Sequence, residues 1–125
     1  MKEKHFSLKK RLSSFKYAFQ GIGYLFKNEH NAWIHLFITV CVVVAGFLLR
    51  VSPSEWIAIV FAIGMVLAAE AFNTAIEALA DVVSSDYKRL IRRAKDVAAG
   101  GVLLAVIAAV AIGLIIFVPK LVALF

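Results

Sequence analysis

The polar and apolar positions of this chain fall into one striped segment followed by three long apolar runs. Leu8, Leu12, Phe15, Phe19, Ile22 and Phe26 recur at steps of four and three, one face of a helix spanning about residues 6–27. Lys9, Lys16, Gln20 and Lys27 fall on the other side. A basic amphipathic helix of this kind lies flat in a membrane interface. Residues 32–49 (AWIHLFITVCVVVAGFLL) are long enough to span a bilayer as a helix. A short link, RVSPSE, then carries Pro53, which interrupts a helix and suits a tight turn. The next run starts at Trp56, is uncharged through Ala69 and continues as EAFNTAIEALAD, which predicts a second span over about 56–78. The third, 97–118, is uncharged and rich in small residues that let helices approach closely. The expected fold is therefore all-α, a single membrane domain with a surface helix and three spans.

Composition supports lipid as the solvent. The 125 residues are 62% hydrophobic, against roughly 45–50% for a soluble domain, and the mean hydropathy is +0.89. A soluble chain this short has too little interior to hide that much apolar surface. The net charge of +6 raises the question of nucleic acid, but the basic residues flank apolar runs and no nucleic-acid module is visible. Cys41 is alone and inside an apolar run, so it reads as a packing residue and permits no intrachain disulfide.

The basic residues also orient the chain. Seven lie in the first 27 positions, with no early apolar core of the kind a cleaved secretory signal needs. The first link has Arg50 alone, the loop before the third span has Lys88, Arg89, Arg92, Arg93 and Lys95, and the tail has Lys120. The positive-inside rule puts the amino terminus and the second loop in the cytoplasm and the carboxyl terminus outside.

Chemistry concentrates in the second span. Glu70, Asn73, Glu77 and Asp81 sit at i, i+3, i+7 and i+11, a narrow stripe on one helix face. Counting from Trp56, Glu70 lies roughly 21 Å and Glu77 roughly 31 Å across a core of about 30 Å. Ionisable groups at such depth are costly and mark function by default. The bland reading makes Glu70 a neutral hydrogen-bonding group and leaves Glu77 and Asp81 solvated. The sharper one makes the carboxylates hard oxygen ligands for Mg²⁺, which takes one or two carboxylates plus phosphate oxygens. Glu70, partly desolvated, becomes a base for a hydroxyl proton, and Lys95 a point charge suited to phosphate. Glu29 stands at the same membrane level as Glu77. His30 and His35 have no partner cluster in the sequence and read as packing or interface residues. Gly21 and Gly23 are too closely spaced for a phosphate loop, and no Walker or protein-kinase motif occurs.

EAFNTAIEALAD (70–81) followed by SSDYKRLIRRAKDVAAG (84–100) closely resembles the signature of the bacterial diacylglycerol kinases, E-x-x-N-[ST]-A-I-E-x-x-x-D, a short loop and R-A-K-D. The layout is similar over the whole chain, including KNE at 27–29. The resemblance implies a small homotrimeric membrane kinase of the bacterial plasma membrane that phosphorylates a lipid alcohol from ATP. It makes Glu70 the general base, in contact with the substrate, and has Asn73 orient the reacting groups. Glu29 and Glu77 become Mg²⁺ ligands beneath the ATP phosphates. Lys10, Tyr17, Asp86, Tyr87, Lys88, Lys95 and Asp96 match nucleotide-binding positions, and Ala99 a substrate-binding one. Where the diacylglycerol-specific branch has Arg and Trp on the surface helix, this chain has Lys10 and Phe19, and SFKYAFQGIGY is similar to the Gram-positive undecaprenol kinase branch. The expected acceptor is undecaprenol, with diacylglycerol second.

Two other classes compete. A small transporter wants paired repeats and a lone carboxylate at mid-membrane, whereas these carboxylates gather toward one side next to a basic loop. A scaffold leaves the acidic stripe without a purpose. An oligomer is expected on physical grounds too, because three helices make a bundle too thin to enclose Glu70, Asn73 and Glu77 unaided.

Overall fold

The computed structural model describes residues 7–83 and 88–125, and among them helix is the sole regular structure. Four helices follow one another: α1 (Leu8–Asn28), α2 (His30–Leu48), α3 (Pro53–Val83) and α4 (Arg89–Val122). The last three are long and apolar enough to cross a membrane. The expected spans lie inside them apart from Leu49, which caps α2. Both α3 and α4 run well beyond the apolar windows at the end that carries the charges, because hydropathy marks where lipid ends and not where backbone hydrogen bonding ends.

Each junction has a local cause. Ser7 caps α1, its hydroxyl accepting from the Lys10 N–H at 3.3 Å. Glu29 alone separates α1 from α2, in extended conformation (φ −120°, ψ 115°). The corner is braced by Trp33, whose indole N–H donates to the Phe26 carbonyl and whose ring meets Phe26 edge-on at 5.5 Å. Between α2 and α3, Arg50 takes the left-handed region (φ 56°) and the Val51 N–H reaches back to the Gly46 carbonyl at 3.1 Å, a helix C-terminal closure usually given to glycine. Ser52 and Glu55 then form a reciprocal capping box. The Glu55 N–H donates to the Ser52 hydroxyl at 3.2 Å, and the Ser52 N–H to the Glu55 carboxylate at 2.8 Å. Pro53 occupies the first helical position, where its missing N–H costs nothing.

The helices meet along seams of three- and four-residue steps. On α2 the inward positions are Ala32, His35, Thr39, Val42 and Gly46; on α3 they are Ile59, Ala62, Val66, Glu70, Asn73 and Glu77. At the end remote from the carboxylates, Val51, Ile59 and Ile116 form a buried cluster with Trp56 packed against it. The Trp56 ring lies over Gly46 so closely that a Cβ there would come within 2.6 Å of it. Lys120 pairs with Glu55 at 3.1 Å across the same end. The large apolar side chains between these seams, such as Phe37, Phe61, Leu104 and Ile115, are exposed. In lipid such exposure carries no penalty, and close packing with internal hydrogen bonds does the holding.

The stripe of α1 read from the sequence stays outward: Leu8, Leu12, Phe15, Phe19 and Ile22 are all exposed. Ile22, with Ala18, Gly21 and Leu25, faces Ala71, Thr74 and Ala78 of α3 across a cavity of about 340 Å³.

Candidate active site

The stripe on α3 points into the bundle because it continues the inward seam. Glu70 is only 2% exposed and Asn73 9%, within one chain and with no other protein present. Glu70 and Asn73 are thus buried already within one chain, while Glu77 keeps intermediate exposure. Burying a carboxyl in this way is tolerable only where it finds a partner.

That partner is His35. Its Nε2 lies 3.1 Å from Glu70 Oε1, across the α2–α3 seam, so the reading of His35 as a packing residue is corrected to that of a direct partner of Glu70. The sequence carried only a weak signal of this: His35 is the sole ionisable residue among the five inward positions of α2, 35 residues from its partner. Next along the stripe, the Asn73 amide donates to Glu77 Oε2 at 3.1 Å. The Asn73 carbonyl oxygen and the Thr74 hydroxyl are buried with no partner among the described residues. Thr74, unremarked in the sequence, belongs to this region as well.

Glu29 reaches the same place from the α1–α2 corner. Burial holds its carboxyl above the ordinary carboxylate range, and the nearby negative charges of Glu77 and Glu70 push it further the same way, with His30 acting against them. Three carboxyls thus share one electrostatic neighbourhood, an arrangement that a cation relieves. Among the described residues no three acidic, His or Cys side chains converge tightly enough to cage a metal alone. The carboxylate oxygens of Glu29, Glu70 and Glu77 are hard donors of the kind a divalent cation shares with phosphate oxygens.

At the charged end, Lys95 Nζ donates to Asp81 Oδ1 at 2.7 Å, which ties the start of α4 to the last turns of α3. Asp81 is thus paired and not simply solvated. Asp96 pairs with Arg92 one turn away at 3.3 Å. Lys88 is the exposed residue that precedes α4. Lys10 and Tyr17 are exposed on α1, and Ala99 is exposed on α4. Asp86 and Tyr87 lie outside the described residues. The structure thus gathers Glu29, His35, Glu70, Asn73 and Glu77, puts Lys95 a turn beyond Glu77, and leaves Lys10, Tyr17 and Ala99 on the surface.

A second cavity, of about 240 Å³, opens between α2, α3 and α4. Its lining is apolar, with His35 and Thr39 as its polar members.

This chain matches the family model described as prokaryotic diacylglycerol kinase over residues 16–117. It is 37% identical over 114 residues to an undecaprenol kinase of Bacillus subtilis, covering 91% of this chain and 93% of that one. It is 40% identical over 114 residues to a diacylglycerol kinase of Synechocystis, covering 90% of this chain but 65% of that longer protein. A diacylglycerol kinase of Escherichia coli is 31% identical over 106 residues, covering 78% of this chain and 86% of the other. The matched region takes in α2, α3 and nearly all of α4, with every residue of the buried carboxylate group, and the chain belongs to the prokaryotic diacylglycerol kinase family.

Proposed function

We propose that this membrane kinase transfers the γ-phosphoryl group of ATP to the hydroxyl of undecaprenol, with Mg²⁺ as cofactor. The observation that carries the chemistry is Glu70, a carboxyl buried in the helix bundle and held by His35 beside a second pair of carboxyls. Glu70 takes the proton of the lipid hydroxyl as that oxygen bonds to the γ-phosphorus. The bond from phosphorus to the bridging oxygen breaks, and its electron pair leaves with ADP. Glu29 and Glu77 are the residues to hold Mg²⁺, which supplies positive charge against the phosphate oxygens when bound. Asn73 keeps Glu77 in place and offers its own unpartnered carbonyl to the reacting groups. Lys95 and Asp96 at the start of α4, with Lys88, Asp86 and Tyr87 before it and Lys10 and Tyr17 on α1, are assigned to the nucleotide.

Undecaprenol is favoured as the acceptor by the match to the Bacillus kinase, which runs nearly end to end in both chains. The apolar cleft that reaches His35 offers a hydrocarbon chain a place beside Glu70, and Ala99 is assigned to the same substrate. Diacylglycerol is the second reading, favoured by the Synechocystis and Escherichia relatives. The active unit is a homotrimer. The exposed small residues Gly64 and Ala68 on α3 support this, with no side chain near enough to crowd a Cβ at Gly64. The amino terminus is assigned to the cytoplasm and the carboxyl terminus to the outside of a bacterial plasma membrane.

The test is direct. Purified protein is incubated with labelled ATP, Mg²⁺ and either undecaprenol or diacylglycerol, and the lipid that acquires label is identified. Label on undecaprenol at the higher kcat/KM supports the proposal; preference for diacylglycerol replaces the acceptor; label on neither removes the lipid-alcohol reading.

A further inference from the structure

We propose that His35 is a positioning residue for the reaction, acting through Glu70 by donating its Nε2–H to the carboxylate. The inference rests on the reading of Glu70 as the base.

The argument begins with the seam. Positions 32, 35, 39, 42 and 46 of α2 face α3, and four of them are Ala, Thr, Val and Gly, residues that fill space at little cost. An imidazole in that row is an expensive way to fill the same space unless its ring nitrogen has a use. Nε2 lies 3.1 Å from Glu70 Oε1, and His35 is itself 19% exposed while Glu70 is 2% exposed. A carboxylate ready to take a proton can only accept hydrogen bonds. The hydrogen between the two atoms therefore belongs to His35, which sets the ring in its Nε2–H form.

Such a bond does two things for a base. It fixes which way the carboxylate plane turns, since a Glu side chain has three rotatable bonds and loses them at a cost unless something holds the last one. It also occupies one lobe of Oε1, so that the lipid hydroxyl is met by the remaining lone pairs. His35 can do both because it lines the apolar cleft between α2, α3 and α4 as well as touching Glu70. It stands where an approaching hydroxyl and the base would meet. The Thr39 hydroxyl, one turn on, donates to the His35 main-chain carbonyl at 2.7 Å, which leaves the imidazole to Glu70.

The experiment compares His35→Leu, His35→Gln and His35→Asn, each alone and His35→Leu also combined with Glu70→Gln, in full-length protein shown to be folded by its thermal transition in detergent. Leu keeps bulk without a donor and should lower kcat about 10- to 100-fold, the scale of loss when a hydrogen bond that orients a working ligand is removed, with KM for ATP unchanged. Gln carries an amide N–H to about the reach of Nε2 and should retain most of the rate; Asn, one methylene shorter, should not. In the Glu70→Gln background, adding His35→Leu should cost nothing further, because the group it positions is gone. Should His35→Leu fail to fold, the contrast between Gln and Asn carries the same decision. The proposal is overturned by an unchanged kcat in His35→Leu, by Gln and Asn behaving alike, or by losses from His35→Leu and Glu70→Gln that multiply in full. Near-normal turnover in Glu70→Gln alone would instead remove Glu70 as the base, a different failure.

Discussion

Lys95 and Asp81 meet at 2.7 Å across 14 residues of sequence, and their pair is an ion bridge between the charged ends of α3 and α4. Both side chains keep substantial exposure, so the bridge itself contributes little, within about 1 kcal/mol. Lys95→Ala is accordingly expected to move the thermal transition only slightly while raising KM for ATP at least tenfold, since the ammonium is the part assigned to phosphate. Equilibrium ATP binding and thermal unfolding on the same preparation separate the two effects. A lowered transition with unchanged ATP affinity would make Lys95 a strut.

Asn73 holds Glu77 through one hydrogen bond and leaves its carbonyl unpartnered. Asn73→Leu removes both, so that Glu77, at intermediate exposure, loses its amide donor. The expected result is a kcat lower by about 10- to 100-fold, with Asn73→Asp worse than Asn73→Leu at neutral pH because it sets one negative charge against another. Steady-state rates of the two variants over a Mg²⁺ titration give the answer, and equal rates for both would dismiss charge as the reason.

Removing the base is the severest single change. Glu70→Gln keeps the shape and a hydrogen-bonding oxygen but takes no proton, so kcat should fall by about 10²–10⁴ while ATP still binds. Normal turnover would make Glu70 structural.

The raised carboxyl of Glu29 gives a pH prediction with a definite sign. Protons and Mg²⁺ compete for it, and its proton is held more tightly than an ordinary glutamate's. As pH falls, half-saturating Mg²⁺ should therefore climb sooner than an unperturbed carboxylate would allow. Glu29→Gln and Glu77→Gln should each start from a higher Mg²⁺ requirement, and Glu29→Gln should lose that part of the pH dependence. For the metal-free protein, the folded state binds this proton more tightly than the unfolded one. The contribution is then present below the ordinary glutamate value and is lost as pH rises through the raised one. Unfolding followed across that window, with and without Mg²⁺, checks both statements.

Orientation is tested by fusing a reporter before Met1 or after Phe125. The amino-terminal fusion should report from the cytoplasm and the carboxyl-terminal one from outside. Both on one side would contradict three crossings.

Much of this was legible from spacing. The apolar runs located three helices because lipid imposes a length, and the steps from Glu70 to Asp81 revealed a shared face because helical periodicity does not depend on tertiary context. The ends of α3 and α4 were not legible, since charged turns leave the lipid without leaving the helix. Nor was the pairing of His35 with Glu70, which depends on how α2 lies against α3 and leaves no local trace. The burial of Glu70 within one chain was missed because counting helices says nothing about how closely Ala32 and Gly46 let them approach. The strongest apolar stripe, on α1, stays outward, the side that a helix lying in the interface turns to lipid, and Leu25 on another face is its buried residue.

The close seat of Trp56 on Gly46 has a mechanical consequence. Together with the Arg50 turn, the capping box and the Glu55–Lys120 pair, it fastens all three long helices at the end opposite the carboxylates. The seat leaves position 46 no room for a side chain: even one methyl would meet the Trp56 ring at 2.6 Å, so Gly46→Ala must push α2 away from α3 or turn the indole out of the seam.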